Sequence, residues 1–305
     1  MLRYTLRQLE YFVAVGETGS IARAADRVNV SSPSISAAIS QLEQEFGLPL
    51  FVRQHAQGLS LTQGGRQMLE QARVVLREAG VLMDIAADIS GTVRGPFSVG
   101  CLVTFAQVVL PTLRRAFEEA YPEVRLRQHE LNQLDIFSAL RRSEIDVALT
   151  YDLDLPADLR FVPLHSLPPF VMVAPDHPLA SAFEVTAEDL RPHPMVLLDL
   201  PLSADYFLSF FAPNARPKIS ERTRDMAVMR SLVANGFGYA IANVRPLSKQ
   251  APDGKPLVFI PMAGEVRPMR MGLLMAHEAD RSNLVRAFLD HSQTMIHTGA
   301  LPGLG

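Results

Sequence analysis

The stretch SIARAADRVNVSSPSISAAISQLEQEF, residues 20–46, decides the fold of the amino-terminal part. Ser20 stands where a hydroxyl caps a short helix, Ile21 to Val28, and Asn29-Val30 makes a brief turn. Ser31-Ser32-Pro33 then opens a second helix with a hydroxyl cap and a proline at its first position, where the missing N–H is harmless. Ile35, Ile39, Leu42 and Phe46 share one face, and Gly47 ends the helix. Two short helices joined by a tight turn form a helix-turn-helix, whose second member enters a DNA major groove ~12 Å wide. The side it turns to a duplex carries Ser32, Ser34, Ser36, Ala37, Ser40 and Gln41, whose hydroxyls and amide bond either base edges or phosphates.

Working outward, Leu6, Leu9, Phe12 and Val13 are spaced by threes and fours and predict a preceding helix, broken at Gly19-Ser20. Downstream, Leu48-Pro49-Leu50-Phe51-Val52-Arg53 and Leu59-Ser60-Leu61 flank the polar tip Gln54 to Gly58, the pattern of a β-hairpin wing. Thr62 caps a long helix from about Gln63 to Ser90. Met68, Ala72, Val75, Ala79, Leu82, Ala86 and Ile89 recur by fours and threes, a heptad seam suited to pairing with a second copy or, as the alternative, to packing on its own domain.

Past the hinge Gly91 and Gly95-Pro96, strands alternate with helices. Strands are predicted at 97–102, 124–130, 147–150, 159–163, 170–174, 195–198, 217–221, 239–243, 257–260 and 269–276. Helices are predicted at 105–121, 133–142, 186–190, 203–211, 223–235 and 282–297. This alternation implies a mostly parallel sheet covered by helices, as one domain or two small lobes. The expected plan is an all-α winged helix-turn-helix over 1–62, a dimerisation helix over 63–91, and an α/β sensor over 92–305.

Composition sets limits. A net charge of −3 gives no global sign of nucleic-acid binding. The first 66 residues hold six arginines (3, 7, 23, 27, 53, 66) against five acids, a net near +1 that predicts a shallow salt dependence. The single cysteine, Cys101, excludes an intramolecular disulfide and a cysteine-based zinc cluster, and fits a reducing cytoplasm. The opening residues lack a secretory apolar core, and no apolar run approaches the ~18 residues of a spanning helix, so a cytoplasmic chain with no membrane partner is expected.

Residues 5–66 resemble LysR-type transcriptional regulators, through Leu6-Arg7-Gln8-Leu9-Glu10-Tyr11-Phe12, Ala24-Ala25, Val30-Ser31-Ser32-Pro33-Ser34-Ile35-Ser36, Leu42-Glu43 and Gly47-Leu48-Pro49-Leu50-Phe51-Val52-Arg53. The likeness continues through Leu110-Pro111, Tyr121-Pro122, Ile145-Asp146-Val147-Ala148, His177-Pro178-Leu179-Ala180 and Leu232-Val233-Ala234-Asn235-Gly236-Phe237-Gly238 to about residue 296. It implies a two-lobed sensor like a periplasmic binding protein, one lobe holding about 96–163 and 268–296, the other about 164–267. It also implies promoter DNA as a partner, dimers pairing into tetramers, and a small-molecule effector between the lobes. Ser31, Ser32, Pro33, Ser34, Ser36, Ser40, Gln41 and Arg53 are the expected DNA-contacting positions. Many members carry Gln where this chain has Ser32, and Arg or Gln at Ala37 and Ala38, so contacts from those positions do not carry over.

Ligands of open α/β sheets bind beyond strand carboxyl ends, near helix amino termini. Thr104, Gln133 and Leu202-Ser203 occupy such places and match positions where similar members place effector contacts, though each also fits a plain helix cap. Tyr151 stands where some related sensors carry a basic residue for carboxylates, which argues against a carboxylate effector. Phe105, Phe170, Tyr206 and Phe207 fit either a pocket lining or core packing. His129, His177 and His193 lack metal-ligand spacing, and Gly236-Phe237-Gly238 lacks the third glycine of a dinucleotide loop. No cofactor and no catalytic constellation is expected; a small-molecule-binding protein or an enzyme on the same α/β fold is the rival reading.

Overall fold

A computed structural model of the chain describes residues 3–54, 58–90 and 92–304. It folds as two compact units, residues 1–91 and 92–305. In the first unit, α1 (Leu6–Thr18) starts at a capping box: Gln8 N donates to the Thr5 hydroxyl at 3.2 Å and Thr5 N to Gln8 Oε1 at 2.8 Å. The helix stops at Gly19, whose φ is 63°. Ser20 caps α2 (Ile21–Val28), which ends at a left-handed Asn29, and α3 spans Ser32–Phe46. β1 (Phe51–Gln54) and β2 (Gly58–Leu61) pair antiparallel, and Thr62 caps α4 (Gln63–Ser90) by accepting from Gly65 N at 2.8 Å.

Leu9, Phe12, Val15, Ala24, Ile35, Leu42, Leu50 and Leu69 close one core among these elements. Each large side chain so buried stabilises the unit by roughly 1.5–3 kcal/mol. Two carboxylates pin its geometry. Glu43 accepts from Leu50 N (2.8 Å) and Phe51 N (3.3 Å) at the root of the wing. Glu17 bridges Arg27 of α2 (2.5 Å) and Arg73 of α4 (3.0 Å). The heptad seam of α4 divides its work: Ala72 is buried within the unit, whereas Leu82 is 68% exposed. Ile85, also apolar, is 48% exposed. The side chains of Ala86 and Ile89 lie outside the described ones.

In the second unit the chain runs through β3 (Gly95–Leu102), α5 (Val103–Ala106), α6 (Leu110–Ala120), β4 (Val124–Leu131), α7 (Gln133–Arg141), β5 (Val147–Tyr151) and β6 (Leu159–Leu167). It continues through β7 (Phe170–Val173), α8 (Ala187–Leu190), β8 (Met195–Leu198), α9 (Ser203–Leu208), β9 (Ile219–Thr223), α10 (Met226–Ala234), β10 (Ala240–Ala242) and β11 (Val258–Pro261). β12 (Met269–Ala276) and α11 (Asn283–His297) close it. Three sheets result, one in the first lobe and two in the second. The first lobe orders its strands β4-β3-β5-β12-β6; in the second, β7 lies between β10 and β11, and β8 pairs with β9. A parallel bridge from Met195 to Tyr239 ties the β8–β9 pair to the residue before β10.

The sheets are mixed, not mostly parallel as the alternation suggested. β3 is parallel to β4 and β5, but β12 returns from the second lobe and inserts antiparallel between β5 and β6. The helix predicted over 105–121 is broken at residues 107–109, because Pro111 has no N–H to give and restarts α6 at its first turn. β6 runs on to Leu167 through Pro163, tolerated because β6 is an edge strand and Pro163 faces a bulge at Gly272.

Glycine at position 65 is demanded by a close approach: a Cβ there lies 2.1 Å from the Leu50 carbonyl oxygen. Alanine favours a helix by ~1 kcal/mol over glycine, but a backbone clash of this kind costs ~1–3 kcal/mol. We therefore expect Gly65→Ala to lower the melting temperature of the first unit by about 4–8 °C per kcal/mol lost, measured by scanning calorimetry. A raised melting temperature refutes the close approach.

Candidate nucleic-acid interface and effector cleft

The outward side of α3 follows from what its inward side buries. Ile35, Ala38, Ile39 and Leu42 face the core, so Ser31, Pro33, Ser34, Ala37, Ser40 and Gln41 are exposed, with Ser32 and Ser36 half-buried. Ala38 therefore points away from any duplex, whereas Ala37 faces out. The Ser31 cap differs from expectation. Its hydroxyl bonds the Ser34 hydroxyl at 2.8 Å instead of a backbone N–H, while Ser34 N donates to the Ser31 carbonyl at 3.0 Å. Pro33 occupies the second helical position and offers no N–H for the cap. Gln41 accepts from Gln8 Nε2 at 2.7 Å, which ties its amide to α1. The side chain of Arg53 and residues 55–57 lie outside the described ones.

In the second unit a cavity of about 200 Å³ lies between the lobes. Thr104, Gln107 and Glu130 line it from the first lobe, and Arg224, Asp225 and Met226 from the second. Thr104 follows β3 directly and is only 5% exposed, yet its hydroxyl has no well-formed hydrogen bond. It lies close to the Tyr151 phenol; burial pushes that phenol up, and the Thr104 hydroxyl works against the rise. Phe105 stacks on Tyr151 at 4.5 Å and belongs to the core. A buried polar atom left unpaired costs ~1–3 kcal/mol, which a ligand with a matching group relieves.

Gln133 is placed otherwise. At 1% exposure it is buried within the first lobe. Its Nε2 donates to the carbonyls of Tyr151 (3.1 Å) and Leu153 (3.4 Å), and its Oε1 accepts from Thr150 Oγ1 at 2.5 Å. With its donors spent, it acts as a tie between α7 and the end of β5; the cap of α7 is Asn132, which accepts from Asp135 N. Leu202 precedes α9 with φ 65°, a conformation that strains a branched side chain by ~1–3 kcal/mol. Ser203 follows, buried, as the first residue of α9.

A hydrogen-bond chain that sequence reading missed joins the lobes where the chain crosses between them. The Arg267 carbonyl can only accept, so the Tyr206 hydroxyl donates to it at 2.6 Å. The Tyr206 oxygen then accepts from Asn243 Nδ2 at 3.1 Å, and Asn243 Nδ2 also donates to the Leu167 carbonyl at 2.9 Å. Asn243 Oδ1 is thereby fixed as a buried acceptor without a partner. Burial is the main cause pushing the Tyr206 phenol up to about 12. Below this chain sits Asp152, whose side chain is 4% exposed and accepts from Arg270 N (2.8 Å), Arg270 Nε (2.8 Å) and Arg267 Nη2 (3.0 Å). Asn243 closes a predicted strand at its carboxyl end, so the rule that singled out Thr104 applied to it as well.

Other candidates resolve simply. His177 and His193 meet ring to ring at 4.7 Å, and His177 Nδ1 accepts from Leu179 N. Among the described residues no group of three or more His, Cys, Asp or Glu is placed to hold a metal. Cys101 is fully buried in β3, and burial first, then Glu130, pushes its thiol up. Phe170 packs on Phe259 at 5.3 Å, and Tyr206 on Phe207 at 5.2 Å.

A winged helix-turn-helix followed by a two-lobed α/β module with an interlobe cavity defines a ligand-responsive transcription regulator. The family descriptions agree: "LysR substrate binding domain" matches residues 90–296, and "Bacterial regulatory helix-turn-helix protein, lysR family" matches residues 6–66. The chain belongs to the LysR-type transcriptional regulators. It is 30% identical over 254 residues to the "Uncharacterized HTH-type transcriptional regulator YvbU" of Bacillus subtilis, covering 83% of this chain and 84% of that one. The "DNA-binding transcriptional dual regulator OxyR" of Escherichia coli is 30% identical over 238 residues, 77% of this chain and 78% of that one. Among solved structures, HinK, a LysR family regulator from Pseudomonas aeruginosa, superposes with a TM-score of 0.64 at 31% identity, covering 96% of this chain and 99% of that chain. Among the described residues no helix is long and apolar enough to cross a membrane.

The Asp152 contacts predict a pH signature. Burial alone raises its carboxyl, but the Arg270 N–H and guanidinium, together with Arg267, outweigh it and hold the carboxyl below the ordinary value. A depressed folded pKa adds stability that is present above the unfolded value, ~3.9, and is lost as pH falls through the folded one. Asp152→Asn should cost about 1–3 kcal/mol at pH 7 and flatten the acid limb of a melting-temperature profile below pH ~4. Equal acid limbs in the two proteins contradict this.

Proposed function

We propose that this chain is a cytoplasmic, non-enzymatic regulator that reads promoter DNA through α3 and is switched by a small molecule held at Thr104 between the sensor lobes. The observation that carries the first half is the exposed row Ser31, Pro33, Ser34, Ser40 and Gln41, held outward by the buried Ile35, Ile39 and Leu42. That row offers hydroxyls, with Arg53 from the wing as the cationic contact we assign to it. Such a surface reads base edges and phosphates with little electrostatic help, so dimer symmetry must supply the remaining affinity. Leu82, exposed on the seam of α4, and Ile85 beside it fit pairing with a second copy through that helix. We assign 1–62 to DNA binding, 63–91 to dimerisation and 92–305 to sensing, with tetramers as the working assembly.

The second half rests on the buried Thr104 hydroxyl in the interlobe cavity, which lacks a well-formed hydrogen bond. Leu202 and Ser203 support it from the strained start of α9; Gln133 supports it by bracing the end of β5.

Pro33→Ala combined with Ser34→Glu should reduce binding of the DNA upstream of the chain's own gene to the non-specific level, ~1000-fold weaker, in a gel shift. Full affinity in that variant rejects α3 as the reading helix. Thr104→Val should move the effector dose-response in a promoter-reporter assay at least tenfold to higher ligand, ~1.4 kcal/mol. An unmoved curve rejects the cleft.

A further inference from the structure

Resting on the cleft reading above, we propose that the effector is a small zwitterion, a free α-amino acid, whose ammonium group binds Glu130 and whose carboxylate binds Arg224. The cavity sets the size. At about 200 Å³ it is small beside the ~300–1,000 Å³ of drug-sized ligand pockets, which suits a compact metabolite.

Its walls set the charge. Glu130 is the penultimate residue of β4 on the first lobe, and Arg224 lies between β9 and α10 on the second. They are opposite in sign and stand on opposite walls. Among the described residues Glu130 accepts one side-chain hydrogen bond, from Gln128 Nε2 at 3.2 Å, and neither Glu130 nor Arg224 is in an ion pair. The third charge in the lining, Asp225, is committed: its Oδ1 accepts from Ala227 N (2.6 Å) and Val228 N (3.2 Å) as the cap of α10. The α10 dipole further offsets that charge. Two exposed charges of opposite sign, Glu130 and Arg224, therefore line the same small space from two lobes.

A ligand with a single charge pairs with one wall and leaves the charge on the other without a partner. A dipolar ligand satisfies both and, by bridging them, favours the closed arrangement of the lobes, so binding is coupled to domain movement. Thr104 completes the site with a hydroxyl that accepts from an ammonium or donates to a carboxylate. Arg224 also supplies the cation whose absence at Tyr151 argued against a carboxylate ligand.

The test is a thermal-shift titration of the full chain with each of the twenty standard amino acids, together with the matched decarboxylated amine and the matched acid lacking the amino group. The expected result is that at least one amino acid raises the melting temperature. Its matched amine and acid should bind at least tenfold more weakly, and Glu130→Gln and Arg224→Gln should each weaken the amino acid at least tenfold. Ligand-free melting temperatures of the variants control for folding.

Saturable binding of a singly charged or neutral probe that depends on Thr104 but not on Glu130 or Arg224 overturns the zwitterion while leaving the cleft. Binding indifferent to all three residues overturns both. If none of the twenty shifts the melting temperature, the ligand class is overturned, and the Thr104→Val reporter curve decides the cleft separately.

Discussion

The buried carboxylate of Asp152 is the constraint on which the sensor's geometry depends. It sits just past β5 and holds the returning chain at Arg267 and Arg270, immediately before and within β12. That grip seats β12 between β5 and β6 and fixes where the Arg267 carbonyl points. From that carbonyl the bond order runs outward to Tyr206 and Asn243, so α9 and β10 of the second lobe are positioned by a charge in the first. The arrangement is made of directional bonds whose polarity is forced, because the Asp152 carboxylate and the Arg267 and Leu167 carbonyls can only accept. Such a network ties the lobes at their crossover.

The amino-terminal unit solves a different problem. With a net charge near +1 in its first 66 residues it cannot rely on a strong field to find and hold DNA. Two of its five acids are spent inside the unit: Glu17 between Arg27 and Arg73, Glu43 on the backbone at the wing root. What remains on the reading face is hydroxyl and amide chemistry on a helix whose register is set by apolar packing. With α3 as the proposed reading helix, specificity depends on holding it accurately, which is the task of the Phe12, Leu42 and Leu50 core.

Much of this was legible in the sequence where local rules dominate. The Ser20 cap, the turn at Asn29-Val30, the hairpin and the length of α4 all follow from residue types and spacing, and the structure has them. What escaped depends on contacts distant along the chain. The antiparallel insertion of β12 is decided by a return from another lobe, and periodicity carries no information about strand direction. Arg224 was hidden because the strand was placed at 217–221 and the next helix at 223. With β9 at Ile219–Thr223, Arg224 lies at the strand's carboxyl end instead of inside a helix. Gln133 illustrates the converse: its place at a helix start was foreseen, but only the fold reveals that its amide is already satisfied by Thr150, Tyr151 and Leu153.

Cys101 has a practical consequence. The chain's only thiol is sealed within β3 and held protonated by its apolar surroundings. It is therefore inert toward maleimides and methanethiosulfonates at neutral pH, since the thiolate is the reacting species. A pair of cysteines introduced at Leu134 and Phe183, exposed positions on different lobes, can carry fluorophores or spin labels against a silent native background. Interlobe distances in solution thus become measurable in the otherwise unaltered polypeptide.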